Sequence, residues 1–292
     1  MSVSLELLLL PALECLLMGM LAGGVGALAV ASRRVFTTES LTHATFPGGV
    51  CGVVVAAWVG QQVGGGRVGY EALRLALVLG AVLACALMAV LTRWLSSASG
   101  LSSQAAAGAV LSVGFAAGHF LSTWFAPLPL KVDTFLTGSV MNTSRSDLAI
   151  TTAVLVLALA LYALAGHHIA SASFDPVSER AAGMRPAVAE TCVMVLVCLT
   201  IGALVPAVGT ILPIALIAAP AATLWQWVRS LDALVWGSAL LGGATSVAGL
   251  ALAVGHGLSA GGVIAVLCAL AYAVSALVGR TRSVLIRPVG GW

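Results

Sequence analysis

An all-α, polytopic transmembrane bundle of eight or nine spans is the architecture this sequence predicts, and three observations carry it. Of 292 residues, 60% are hydrophobic and only 8% charged, with a mean hydropathy of +1.10, against about 25% charged in soluble domains. The 13 basic and 10 acidic side chains could not cover the wet surface of a soluble protein of this length. The apolar residues come in runs of about twenty, the length of a spanning helix, and not in alternating strands of about ten.

The spans follow in order, separated by charged or Gly/Pro-rich breaks. The first, at 7–30, is preceded by Glu6 where a signal peptide carries Lys or Arg, so it is expected to be a retained helix. Its Gly19 and Gly23 lie four apart, as do Gly48 and Gly52 in the second span at 41–61. Small residues on one helix face are most simply sites of close packing. Within the second span, Pro47, Gly48 and Gly49 are expected to interrupt the helix at membrane depth, which is tolerated where backbone faces protein or a cavity. The third and fourth spans lie at 72–95 and 104–125, the fifth at 147–166, with His167 and His168 as its solvated boundary. The sixth is at 187–207. A seventh at 210–227 is crowded by Pro206, Gly209, Pro213 and Pro220, and if it is broken only eight full spans remain. The last two lie at 233–254 and 260–279.

A nine-span path puts Arg33, Arg34, Arg93, Arg180, Arg185, Arg229, Arg280, Arg282 and Arg287 on one side and Arg67, Arg74, Lys131 and Arg145 on the other. Basic residues favour the cytoplasmic side, which places the N-terminus outside and the C-terminus inside. The net charge of +3 is dispersed, with no basic run longer than Arg33-Arg34, so no nucleic-acid face is expected. All six cysteines fall in apolar runs without a CxxC pair and read as buried free thiols. There is no P-loop, so ATP chemistry by that route must come from another chain; GxSxG and HExxH motifs are also missing, which weighs against an enzyme.

Function therefore rests on the few ionisable residues at membrane depth, where a charge costs about 2.5–3.5 kcal/mol. Glu39 and His43 are four apart and share one face if the segment is helical. A carboxylate beside an imidazole suits a divalent transition metal such as Mn²⁺ or Zn²⁺. The alternative is an interfacial Glu capping a helix and a His bonded to nearby backbone. Glu190, His256, His119 and Glu14 could complete a coordination shell, or could each be a buried or interfacial polar group. Between spans five and six, at about 173–185, Asp175 suits an N-cap, Pro176 the first helical position and Gly183 the far end of a short cytoplasmic helix.

The stretch Arg33-Arg-Val-Phe-Thr-Thr-Glu-Ser-Leu-Thr-His-Ala-Thr-Phe-Pro-Gly48 resembles the signature RRxSxxGDALSHAxLPG of the permease subunits of manganese/zinc ABC importers. Leu41, His43, Ala44, Pro47 and Gly48 match it directly, Glu39 stands for its Asp, Thr42 for its Ser, and Thr38 replaces its Gly. A second block, 208–223, is similar to VGxxLxxALLxxPAATA at Val208, Gly209, Leu212, Pro220, Ala221, Ala222 and Thr223. Phe174, Asp175, Pro176 and Gly183 match the cytoplasmic FDPExAxxxG segment, with Val177 and Glu179 departing from it. The resemblance runs over nearly the whole chain and implies one permease domain over 1–292 with a type II ABC importer-like fold, in the cytoplasmic membrane. It implies a second copy of the permease, an ABC ATPase subunit that docks on 173–185 and carries the ATP, and an extracytoplasmic metal-carrying solute-binding protein. No cofactor is held permanently; Mn²⁺ or Zn²⁺ is cargo. By position, Glu39 and His43 become metal ligands on the path, while Glu190 and His256 match no motif. The competing readings are an ABC permease for a metal chelate such as a siderophore, an ATPase-independent secondary transporter, and a membrane assembly protein that moves nothing.

Overall fold

The computed structural model describes residues 5–64, 69–98, 100–127, 143–174 and 186–285. Among them are nine helices and no strand: α1 (Leu5–Ala31), α2 (Val35–Gly64), α3 (Tyr70–Ala98), α4 (Ser103–Trp124), α5 (Arg145–Phe174), α6 (Pro186–Val208), α7 (Ile211–Trp225), α8 (Leu231–His256) and α9 (Ala260–Leu285). Eight are long and apolar enough to cross a membrane, and α7 is the short exception. This is a multi-pass membrane protein.

Lipid is as apolar as leucine, so helices gain little by hiding apolar surface from it and associate through close packing. Glycines provide the closeness. A Cβ at Gly19 would strike the Gly242 carbonyl and one at Gly23 the Ser238 carbonyl, so α1 and α8 run antiparallel with backbones in contact. Gly26 meets the Ile217 carbonyl of α7, while Gly48 and Gly52 of α2 face Gly80 and Ala76 of α3. The sequence expectation that these glycines serve packing holds at all four positions it named.

Polar contacts identify the two ends of the bundle. At one end the α1–α2 turn, the end of α3, the end of α5 and the start of α6 converge, with Ser32 Oγ 3.4 Å from Ser173 Oγ and Arg34 Nη2 donating to Glu190 Oε2 at 2.7 Å. At the other end, the start of α3 meets the start of α5, where Arg74 pairs with Asp147 and donates to Ser144 Oγ at 2.7 Å. These ends agree with the two sides inferred from the arginines.

One local expectation about helix breaks is corrected, and the one that left eight full spans is met. The proline and glycines at 47–49 do not break α2, which runs through them as one helix. Their cost is confined to one hydrogen bond, because Pro47 has no N–H to give the His43 carbonyl, and Gly48 is used to approach α3. The prolines around 206–220 do break the chain, but only at Gly209, which has φ +81° and separates α6 from α7. With 15 residues, α7 is about 22 Å long at 1.5 Å per residue, shorter than a hydrocarbon core of about 30 Å. Its connection to α6 is buried. Five cysteines are buried or half-buried free thiols, whereas Cys51 is exposed on the outer face of α2.

Candidate metal centre

The first half of α2 is built from hydroxyl residues that bond back to their own helix. Thr38 donates to the Arg34 carbonyl (3.1 Å), Ser40 to Thr37 (2.8 Å), Thr42 to Thr38 (3.0 Å) and Thr45 to Thr42 (2.6 Å). This local satisfaction lets a polar segment enter the membrane. These four side chains are buried against the rest of the bundle. What remains for the outer stripe of the helix is Phe36, Glu39 and His43, continued by Cys51 and Val55, all half-buried or exposed. Glu39 and His43 thus lie one turn apart on one face, as their spacing predicts.

His43 is held from the side by α4. The Phe115 ring meets the imidazole edge-on at a centroid distance of 6.0 Å and an interplanar angle of 80°. That approach is open because Gly114 packs on Ala44 and Gly118 on Phe46. Nδ1 of His43 is buried and has no hydrogen-bond partner among the described residues. Pro47 also has no N–H to offer the His43 carbonyl in the helical ladder. The Glu39 carboxylate adds oxygen donors one turn away. An imidazole nitrogen with carboxylate oxygens is a donor set for borderline divalent cations. Among the described residues no group of three or more His, Cys, Asp or Glu side chains stands close enough to hold a metal ion. Among the described residues, Glu39 and His43 therefore stand as a pair without a third side chain of these types beside them.

The other candidates are not brought to this pair. Glu190 sits in the first turns of α6, bonded to Arg34, and Arg93 stands 3.9 Å from the same oxygen. His256 is exposed in the last turn of α8, at the opposite end of the bundle, with Nδ1 3.0 Å from the Leu252 carbonyl. His119 is exposed on α4. Glu14 is fully buried, with Thr151 donating to Oε1 at 2.7 Å, while Oε2 has no partner among the described residues. Phe174 closes α5, and Asp175, Pro176 and Gly183 lie outside the described residues.

Sequence reasoning missed the buried Arg74–Asp147 pair, whose side chains are 12% and 5% exposed. A signal was available: one basic and one acidic residue, each within a turn of a span start on the same side, are the complementary charges that burial at a shared depth demands. The Glu14–Thr151 bond had no such signal, since threonine is common in helices of this chain.

The sequence model of the ABC 3 transport family matches residues 4–279. The chain is 24% identical over 272 residues to a protein of Halalkalibacterium halodurans named manganese transport system membrane protein MntC, covering 93% of this chain and 87% of that one. It is 27% identical over 278 residues to the zinc transport system membrane protein TroC of Treponema pallidum, covering 94% and 89%. Among solved structures, PsaBC from Streptococcus pneumoniae in complex with Fab superposes with a TM-score of 0.79 at 24% identity, over 93% of this chain and 91% of that one.

Proposed function

Starting from a chain that belongs to the ABC 3 transport family, we propose that it is the membrane permease of an ATP-driven importer of Mn²⁺ or Zn²⁺, passing the ion across the cell membrane beside Glu39 and His43. The relatives named for manganese and zinc transport support the cargo. The observation that carries the reading is the placement of Glu39 and His43. They are the chemistry-bearing members of a half-open stripe on an otherwise buried, hydroxyl-rich half of α2. His43 lies eight residues past the helix start, about 12 Å along the axis.

Glu39 lies one turn nearer the start, about 6 Å along the axis, where a carboxylate turned toward hydrocarbon still carries a cost. A second copy of the permease, its own α2 stripe turned inward, would give the pair a protein-lined passage and supply the remaining ligands. Two residues per copy, with waters, make a site weak enough to release its ion, as transport needs. A metal-binding solute-binding protein delivers the ion on the outer side. ATP is bound and hydrolysed on a partner ATPase docked at the arginine-rich cytoplasmic end, through the segment holding Phe174, Asp175, Pro176 and Gly183.

The test is the manganese and zinc content of metal-starved cells lacking the gene, complemented with wild type, Glu39→Ala, His43→Ala or the double variant. Wild type restores one metal, which names the cargo, and each variant, expressed at the wild-type level, does not. Wild-type restoration by either variant overturns the site. No change in either metal with wild type overturns free-metal import and turns attention to a chelate.

A further inference from the structure

One carboxylate gathers three helices at the arginine-rich end. Glu190 Oε2 of α6 accepts from Arg34 Nη2 at 2.7 Å, from the turn that launches α2, and lies 3.9 Å from Arg93 Nη1 at the end of α3. The Arg34 backbone is held by its own turn, with Arg33 at φ +56° and the Arg34 N–H donating to the Ala29 carbonyl at 2.8 Å. The ion pair is therefore the side-chain link from that rigid turn to α6. Beside it lies a cavity of about 310 Å³, lined by Ser32, Arg33, Arg34, Ser173 and Glu190 among others.

Three features separate this cluster from the buried Arg74–Asp147 pair. Its side chains are 28%, 40% and 57% exposed, so the contact is worth only about two- to fivefold in an equilibrium, enough to bias how the three helices sit but not to tie them permanently. That is a fitting strength for a contact that is made and broken within a transport cycle. The cavity leaves the side chains room to part. Finally, Arg34 precedes Glu39 by five residues and His43 by nine, with α2 one continuous helix, so moving the helix start moves the metal ligands as a body.

We propose that Glu190, with Arg34 and Arg93, is a reversible inner latch. Closed, it holds the start of α2 against α6 and α3 and seals the inner end of the passage; open, it lets α2 swing and the ion leave. Glu190 acts through α2 and is a positioning residue, not a ligand of the ion. This rests on the transport reading above.

The full transporter, reconstituted with its ATPase and binding protein, tests it. In an Arg34→Cys/Glu190→Cys variant, a bis-methanethiosulfonate reagent bridges the two positions and a reducing agent releases them. Bridging is expected to cut ATP-driven Mn²⁺ or Zn²⁺ uptake at least about tenfold, with recovery on reduction, because a shut latch freezes the cycle. All variants carry Cys51→Ser, since Cys51 is exposed on the α2 stripe, and single-cysteine controls under the same reagent keep their reagent-free rates. A bridged transporter with uptake within about twofold of its reduced form overturns the latch, since a static tie tolerates being made permanent. A second measurement covers a double variant that is inactive throughout: release of preloaded metal without ATP through Glu190→Gln. The latch predicts release about two- to fivefold faster than wild type, and an unchanged rate overturns it. Wild type that moves neither metal defeats the transport reading instead, and is seen in the same assay.

Discussion

Gly23 and Gly24 are neighbours on α1, yet alanine at the two positions should have opposite outcomes. At Gly23 a Cβ would overlap the Ser238 carbonyl, lying 2.8 Å from its carbon and 3.2 Å from the Ala239 nitrogen. These are backbone atoms of α8, which has no flexible end to move aside. Relief requires the two helices to part, losing dispersion contacts along their whole antiparallel interface, and overpacking of this kind costs about 1–3 kcal/mol. At Gly24 the nearest atoms are the Ala239 Cβ at 3.6 Å and Val235 Cγ1 at 4.0 Å, ordinary contact distances. Both substitutions gain the helix propensity of alanine, up to about 1 kcal/mol. Comparing the two cancels that gain and leaves the clash. Gly23→Ala is therefore expected to be about 1–3 kcal/mol less stable than Gly24→Ala. The assay is reversible SDS unfolding of the purified chain in mixed micelles, followed by tryptophan fluorescence. Two variants within about 0.5 kcal/mol of each other would refute the claim that backbone contact at Gly23 sets the α1–α8 separation.

Other perturbations read out other parts of the structure. Arg74→Met leaves Asp147 buried without its cation and should destabilise by about 3–5 kcal/mol, while Arg34→Met breaks a half-exposed pair and should cost less than about 1 kcal/mol, both measured by the same unfolding assay. Thr151→Val deprives the fully buried Glu14 of the hydrogen bond to Oε1 and should cost about 1.5–3 kcal/mol, and Glu14→Leu in the Thr151→Val background should recover much of it. Ser275→Ala removes a hydroxyl that accepts from Gln226 Nε2 and Trp227 Nε1 at 2.7 Å each and donates to the Thr223 carbonyl; a red shift of Trp227 emission is expected as the α7–α8 connection loosens. Phe115→Ala should lower uptake by freeing the His43 ring, and Phe115→Tyr, which keeps the edge contact, should retain more of it.

Much of this architecture is legible in the sequence because the bilayer imposes one simple rule, a long apolar run between polar breaks. Thus α3, α4 and α6 begin and end within three residues of the apolar segments at 72–95, 104–125 and 187–207. Helices that carry polar residues past the hydrocarbon edge are less legible. The apolar run of the second span begins at 41, but α2 begins at Val35, because Thr38, Ser40 and Thr42 close their hydroxyls on its own carbonyls. Pro47 misleads for a related reason: one missing N–H is a local loss, and the helix continues through it. The Glu39–His43 pair was readable since helical spacing decides it. The fates of Glu190 and Glu14 were not, because an arginine 156 residues away and a threonine 137 residues away decide them.

Among the described residues, three glycines with positive φ mark two places that can lengthen and one that cannot. Gly100 and Gly257 stand in open space, with nothing within 4 Å of where a side chain would begin. Insertions there only enlarge an exposed loop, whose closure entropy grows slowly with length. Gly209 sits in a buried two-residue connection between helices that are both packed in the core, its N–H donating to the Val205 carbonyl at 2.9 Å. An added residue at that point would have to push α6 or α7 along its axis. Drift in loop length among descendants of this chain, and the fusion of tags or fluorophores by experimenters, are thus channelled to the bundle's rims, while the α6–α7 junction keeps its length.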